Sequence, residues 1–250
     1  MKCKFTDSKQ IYEIFKFIAQ FTDNVNLVCG DHGISVFTMS SCHTVFIDIN
    51  MPQSYFEEYV CAENCIIGIC VPVLLTALTK EKCDLSMEVV GDNVLFTRTT
   101  SDESIKYLIK QMTIEDDNME IPLLHENVHM NVPYSVLKRW KKSILSFTKC
   151  GVTIRPMKEC VHISSKGDGG AVAMETPVHC NHVTYASFNN PCEMELANTL
   201  LSRGMSIGEV NPFVNMGYQN GMPFRIGVKL GPTQEGYLQV YIAPKYSDDE

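Results

Sequence analysis

Apolar positions along this chain recur with two periods, and the period decides the element. After Ser8, residues Ile11, Ile14, Phe15 and Ile18 fall at i, i+3, i+4 and i+7, which predicts a helix with one buried face. After Val71, Pro72 suits a first helical position and Leu74, Leu75 and Leu78 share one side. A third helix is predicted from Pro133-Tyr134-Ser135 to about Phe147. A fourth takes Asn190 as N-cap, Pro191 next and Glu193 at the capping-box position, turns Ala197, Leu200 and Leu201 inward, and stops at Gly204. The starts near 8, 71, 134 and 191 lie roughly sixty residues apart, which predicts one supersecondary unit used four times.

The remaining apolar runs are short and alternate. Strands are predicted at Val25 to Cys29, Ile34 to Met39, Thr44 to Ile49, Cys65 to Val71, Leu85 to Val90, Val94 to Arg98 and Ile105 to Met112. Further along come Val152 to Arg155, Gly170 to Met174, Phe213 to Met216, Phe224 to Leu230 and Tyr237 to Ile242. Between them Asp31-His32-Gly33, Gly91-Asp92-Asn93, Gly167-Asp168-Gly169 and Asn220-Gly221 supply the positive-φ residues of hairpin turns. Hairpins imply antiparallel sheets, and a few helices among them give an α+β fold with the helices gathered on one face. The acidic stretch Met112 to Glu126 has an Ile-Pro and no sustained period, so it reads as an extended connector. It divides the chain into 1–111, a connector 112–126, and 127–250.

Composition narrows the classes. With 45% hydrophobic and 20% charged residues the chain is neither disordered nor collagen-like. No window approaches eighteen uncharged apolar residues, and the start runs into charge without an apolar leader, so neither a spanning nor a secreted protein is expected. Eleven cysteines without a CxxC pair read as buried thiols in a reducing compartment. The net charge of −8 is uneven. Residues 1–126 carry 9 Lys+Arg against 19 Asp+Glu, whereas 127–250 carry 12 against 10. That balance argues against non-specific coating of nucleic acid but permits a local basic surface.

The sequence has no GxxxxGK[ST] and no GxGxxG opening a helix. His179-Cys180-Asn181-His182, with His162 and Cys160 upstream, lacks ligand spacing and reads as polar loop or strand-end residues. Cys61 and Cys65 read as structural thiols. The strongest local feature is the third helix. At roughly 100° per residue, Val136, Leu137, Trp140, Ile144 and Phe147 gather on one side, Lys138, Arg139, Lys141 and Lys142 fan over the other, and only Leu145 breaks the pattern. One reading is a solvated helix face; the other is a surface for phosphate neutralisation that needs no base contacts.

Three segments together carry a family resemblance. Asp31-His32-Gly33-Ile34-Ser35-Val36 leads through Met39-Ser40-Ser41-Cys42-His43 to Tyr59-Val60-Cys61; Met112-Thr113-Ile114 leads to Met119-Glu120-Ile121-Pro122; and Gly236-Tyr237-Leu238 leads to Tyr241-Ile242-Ala243-Pro244-Lys245 and Asp248-Asp249-Glu250. In this order and spacing the chain resembles, from end to end, the proliferating cell nuclear antigen family of sliding clamps. The resemblance implies the DNA-clamp fold: two similar domains, each with two helices on antiparallel sheets, three identical subunits closing a ring, and helices lining a central hole. It implies a non-enzymatic processivity factor without cofactor or metal, located in the nucleus or, for a viral member, a replication compartment.

Under the same resemblance Lys138, Arg139, Lys141, Lys142, Lys80, Lys82, Lys9, Lys16 and Arg203 face duplex DNA. Family lysines on the first helix match Glu13, Ile14 and Gln20 here, so contact is expected to be skewed to the second domain. Three copies of −8 give −24, so the hold relies on topology with a loose, salt-sensitive grip. Met39, His43, Met119, Ile121, Pro122, Met222, Pro223, Tyr241, Ala243 and Pro244 match a greasy pocket for partner peptides carrying a glutamine, an aliphatic residue and two aromatics. For any one of these apolar residues core packing is the competing reading, and for His43 a structurally bonded histidine. Glu115, Asp116 and Asp117 either attract basic flanks of partners or form a solvated run. Subunit closure is expected to pair the strand of Ile105, Tyr107 and Ile109 with that of Ala171, Val172 and Met174. The implied partners are further copies of the chain, sequence-independent double-stranded DNA, a DNA polymerase and other peptide-bearing factors, and a clamp loader, with no membrane. A clamp-like scaffold with weak encirclement and a subunit of a heterotrimeric checkpoint clamp are the alternatives.

Overall fold

The computed structural model describes residues 1–115, 125–147, 150–179 and 182–245. They form two compact units, one of Met1–Met119 with Lys229–Leu238 and one of Glu120–Val228 with Gln239–Glu250. Among the described residues no helix is long and apolar enough to cross a membrane.

The first unit runs β1 (Lys2–Phe5), α1 (Ser8–Ile18), β2 (Asn24–Gly30), β3 (Gly33–Met39), β4 (Val45–Pro52), β5 (Phe56–Val60), β6 (Cys65–Cys70), α2 (Val71–Ala77), β7 (Asp84–Val90), β8 (Asn93–Thr99) and β9 (Ser104–Lys110). Its strands pair antiparallel in the orders β5-β1-β7-β8-β9 and β4-β3-β2-β6. The α1 stripe works as its spacing predicts, with Ile11, Ile14 and Ile18 fully buried. Its N-cap is Asp7, one residue before the predicted start, because the Oδ1 of Asp7 accepts the N–H groups of Lys9 and Gln10 at 3.0 and 3.1 Å.

The second half of the chain runs β10 (Val128–Pro133), α3 (Tyr134–Trp140), β11 (Gly151–Pro156), β12 (Cys160–Gly167), β13 (Gly170–Pro177), β14 (Thr184–Phe188), β15 (Met194–Ala197), α4 (Asn198–Gly204), β16 (Phe213–Tyr218), β17 (Phe224–Leu230) and β18 (Gly236–Ile242), of which the stretch Lys229–Leu238, the end of β17 and the start of β18, counts with the first unit. The sheet orders are β14-β10-β16-β17-β18 and β13-β12-β11-β15. Position by position this repeats the first unit: the same sequence of strands and helices and the same pairing plan. The helices begin at 8, 71, 134 and 198, so the observed repeat is tighter than the predicted one.

Two expectations are corrected. The fourth helix does not start at Asn190: Met194–Ala197 is strand β15, paired with Gly151–Ile154 of β11, and Asn190 sits at φ 44°. Met194 and Leu196 are buried on alternate positions, so sheet pairing overrides the capping-box pattern. Gly204 is not a stop either. It has helical φ −57° and the chain continues into a 3₁₀ turn, Met205–Glu209. A Cβ at Gly204 would approach Ile242 at 2.9 Å, so this glycine serves close packing.

The second correction concerns α3, whose last turn, Lys141–Leu145, is a π-helix. The N–H of Ser146 bonds the carbonyl of Lys141, five residues back, at 3.1 Å. The wider turn accommodates one extra residue and rotates the residues beyond it by about 100°. Leu145, which broke the predicted stripe, is therefore 9% exposed, and Phe147, predicted to lie inside, is 55% exposed.

Candidate functional site

The basic helix is fixed from beneath. Val136, Leu137, Trp140 and Ile144 are buried, the indole of Trp140 donates to the hydroxyl of Thr176 on β13 at 2.8 Å, and the amide of Asn198 donates to the Leu145 carbonyl at 3.0 Å. Lys138, Arg139 and Lys142 stand exposed on the opposite face and Lys141 is half-buried. The Lys138 ammonium lies 4.5 Å from the centroid of the Tyr134 ring. Burial pulls the Lys141 ammonium below the ordinary lysine range, with Glu209 acting in the opposite sense. Lys138, Lys141, Lys142 and Tyr134 line a cleft of about 440 Å³ with Leu145, Ser146 and Ser202. Its three ammonium groups suit anionic oxygen, while the Ser146 and Tyr134 hydroxyls already donate, to the Lys141 carbonyl and to Glu209.

The other predicted DNA contacts divide between the units. In the first, Lys9 is exposed on α1, and Lys16 is held by Glu13 at 3.0 Å. Lys80 and Lys82 are exposed beyond α2, with the Lys80 ammonium 5.7 Å from the Tyr12 ring of α1. In the second, Arg203 is exposed on α4. Ile14 is fully buried, so a lysine there would sit in the core, and its absence costs the exposed face nothing.

The predicted pocket residues also fall in both units, each taken by itself. In the first, Met39 is half-buried at the end of β3, and His43 is exposed at φ 55° in the turn Ser40–Thr44. There the Cys42 thiol contacts the hydroxyls of Ser40 and Thr44 at 3.3 and 2.8 Å, which lower its pKa. In the second, Met222 and Pro223 are half-buried just after Gly221, and Tyr241 is buried, with Ala243 and Pro244 half-buried behind it. The Lys245 N–H bonds the Glu195 carbonyl at 2.8 Å, tying down the segment that follows β18. Met119, Ile121, Pro122, Asp116 and Asp117 lie outside the described residues. The connector's first residues are fastened to the first unit: Met112 N–H to the Gly68 carbonyl at 2.9 Å and the Asn26 amide to the Ile114 carbonyl at 3.2 Å. A Cβ on Gly68 would fall 2.1 Å from the Met112 carbonyl, so only glycine admits this approach.

The two strands expected at a subunit joint are both sheet edges, β9 in the first unit and β13 in the second. Ile105 and Tyr107 are half-buried and Ile109 is 6% exposed; Ala171 is exposed, and Val172 and Met174 are half-buried. The His179 and His182 rings lie 4.0 Å apart, Cys180 and Asn181 are outside the described residues, and among those described no group of three His, Cys, Asp or Glu is arranged to hold a metal. Cys65 lies opposite buried Cys29 across β2 and β6, and burial raises both thiols, as inert structural cysteines require.

Sequence reasoning missed one constellation. Arg225, 8% exposed in apolar β17, grips both carboxylate oxygens of Glu126, Nε to Oε1 and Nη2 to Oε2, the latter at 2.9 Å, and its Nη1 donates to the Asn215 side chain. The partners are 99 residues apart, and the one hint in the sequence was a charge inside the run Phe224-Arg225-Ile226-Gly227-Val228.

Known proteins resemble this chain along nearly its whole length. Residues 1–120 match the family model described as proliferating cell nuclear antigen, N-terminal domain. The chain is 24% identical over 253 residues to the proliferating cell nuclear antigen of Chaetomium thermophilum, covering 97% of this chain and 95% of the relative. It is 22% identical over 251 residues to the probable DNA polymerase sliding clamp 2 of Paramecium bursaria Chlorella virus 1, covering 97% and 89%. The crystal structure of Proliferating Cellular Nuclear Antigen from Entamoeba histolytica superimposes with a TM-score of 0.88 at 23% identity, covering 98% of each chain.

Proposed function

Since the chain belongs to the proliferating cell nuclear antigen family of DNA sliding clamps, we propose that three copies close a ring around duplex DNA and tether a polymerase and other replication and repair factors. The clamp catalyses nothing; it raises the local concentration of whatever its pocket holds. The nucleus, or a viral replication compartment, is where such a tether works.

The observation that carries this reading is the repeat. Within the first unit the start of β18 lies beside β4: Gly236 approaches the Asn50 carbonyl and the Tyr237 hydroxyl bonds Asp48. The counterparts of those strands in the repeat are β9 and β13, and both are edges. One joint of the repeating pattern is made inside the chain and the equivalent joint calls for a second copy. Ile105, Tyr107 and Ile109 then meet Ala171, Val172 and Met174. A heterologous joint of this kind either closes a ring or grows a filament, and the family resemblance selects the three-membered ring.

The cleft of Lys138, Lys141 and Lys142, with Arg139 beside it, supplies phosphate contacts, supplemented by Lys80, Lys82, Lys9, Lys16 and Arg203. Such contacts neutralise without reading bases, so the hold weakens as salt rises while enclosure persists. To the peptide pocket that the family resemblance implies we assign Met39, His43, Met222, Pro223, Tyr241, Ala243 and Pro244, with Met119, Ile121 and Pro122 of the connector. Retention on nicked circular DNA tests the whole reading. Wild type stays on the circle and is lost on linearisation. Reversing the four cations of α3 shortens retention far more than reversing Lys9 and Lys16, and equal effects would refute the skew. The Glu13–Lys16 pair favours one second reading, a scaffold that keeps the pocket but encircles DNA weakly; protein that leaves circles and linear DNA equally fast supports it.

A further inference from the structure

Glu126 is the last residue of the connector, and an unusual site receives it. Three residues lie in a row across adjacent strands of the second unit: His129 of β10 opposite Gly217 of β16, and Gly217 opposite Arg225 of β17. The middle position has no side chain, and the Glu126 carboxylate occupies the space. A Cβ on Gly217 would fall 2.1 Å from the carboxylate carbon. On one side the carboxylate takes two bonds from the Arg225 guanidinium; on the other, His129 Nδ1 is 3.5 Å from Oε2. Both charged side chains are largely withdrawn from water, Arg225 at 10% and Glu126 at 15% side-chain exposure. The neighbouring backbone is held as well, His125 N–H by the Gln219 side chain at 2.8 Å and Asn127 N–H by the Tyr218 carbonyl at 3.0 Å.

The same patch continues toward the proposed pocket. The next row is Asn131, Asn215 and Gly227, and Gly227 is again a gap: a Cβ there would meet Asn215 Oδ1 at 3.0 Å, Arg225 Nη1 at 3.1 Å and Gln239 Cγ at 3.2 Å. Gln239 in turn accepts the Tyr241 hydroxyl at 2.5 Å. Arg225, which holds Glu126 and Asn215, and Gln239, which holds Tyr241, therefore both border the space that Gly227 leaves, inside one unit. Gln219, which holds His125, belongs to the turn that carries Met222 and Pro223.

We propose that Glu126 and Arg225 are positioning residues for partner-peptide recognition: a buried clasp that fixes the connector's exit and the Tyr241 wall in one arrangement before a peptide arrives. The inference rests on the pocket reading above. Pre-ordering of this kind lowers the entropy lost on binding. A bidentate guanidinium suits the task because two parallel bonds fix direction as well as distance.

The test uses the full chain and a fluorescent peptide bearing a glutamine, an aliphatic residue and two aromatics, with binding read by anisotropy. If wild type does not bind, the pocket reading fails, whatever the clasp does. If it binds, Arg225→Met weakens the peptide by about tenfold, with oligomer mass and retention on circular DNA unchanged. Glu126→Gln, which keeps the shape and one acceptor, gives a smaller loss of the same sign, and it decides the matter if Arg225→Met fails to melt cooperatively. A role in stability alone would not couple to the pocket. A double-mutant cycle with Tyr241→Phe should therefore give a combined loss well below the product of the two single losses. Wild-type affinity in a folded Arg225→Met or Glu126→Gln protein, or fully independent effects in the cycle, would overturn the proposal.

Discussion

His129 shows how one side chain ties this fold to pH. Burial is the main cause that holds its imidazole below the ordinary histidine value of 6.5, the Arg225 guanidinium acts in the same sense, and Glu126 opposes them. The unfolded chain then binds a proton at a pH where the native protein does not, so stability falls as pH drops below 6.5 and levels off only beneath the native value. Thermal midpoints between pH 7.5 and 5.5, a window chosen to bracket roughly the ordinary histidine titration, should fall with pH. His129→Gln should flatten the slope, leaving the contribution of His182, which is also lowered. At this scale the sequence was partly legible. Lys138, Arg139 and Lys142 were read as outward-facing from helix periodicity alone and are exposed. The Glu126–Arg225 contact was not legible, because no local period or spacing encodes the meeting of residues on separate strands.

Among the elements, α3 carries the sharpest disagreement between periodicity and structure. A uniform α-helix buries Phe147 and exposes Leu145; the π turn does the reverse. Leu145→Ala should accordingly cost about 2–5 kcal/mol, and Phe147→Ala under about 1 kcal/mol, both read from urea unfolding; the opposite ranking would restore the uniform helix. The turn is stabilised by the Ser146 hydroxyl, which donates to the carbonyls of Lys141 and Lys142 at 2.8 Å each, a local bond that periodicity cannot register. Asn190, Pro191 and Glu193 misled for a related reason. They have the chemistry of a helix start, but Met194 and Leu196 alternate into the core beside β11, and long-range pairing wins over a local signal. Strands β9 and β13 were legible because half-buried alternation is a period-two pattern whichever partner the strand finds.

For the whole molecule, the repeated pairing plan makes a quantitative prediction about assembly. Met174 is half-buried on edge strand β13, where the proposed joint brings Ile105, Tyr107 and Ile109 of another copy. Met174→Glu should convert a particle of about 85 kDa, three chains of 28.2 kDa, into single chains by mass photometry, with cooperative melting retained. A wild-type particle of one chain at micromolar concentration would contradict the ring.

The open row of N–H and C=O groups along β9 is also a point of attack. A synthetic extended octapeptide copied from Gly170–Pro177 presents the same backbone pattern as β13 and would cap that row as an added strand. It would act as an antagonist of assembly, leaving the proposed peptide pocket untouched, and its potency would be independent of which factor that pocket holds.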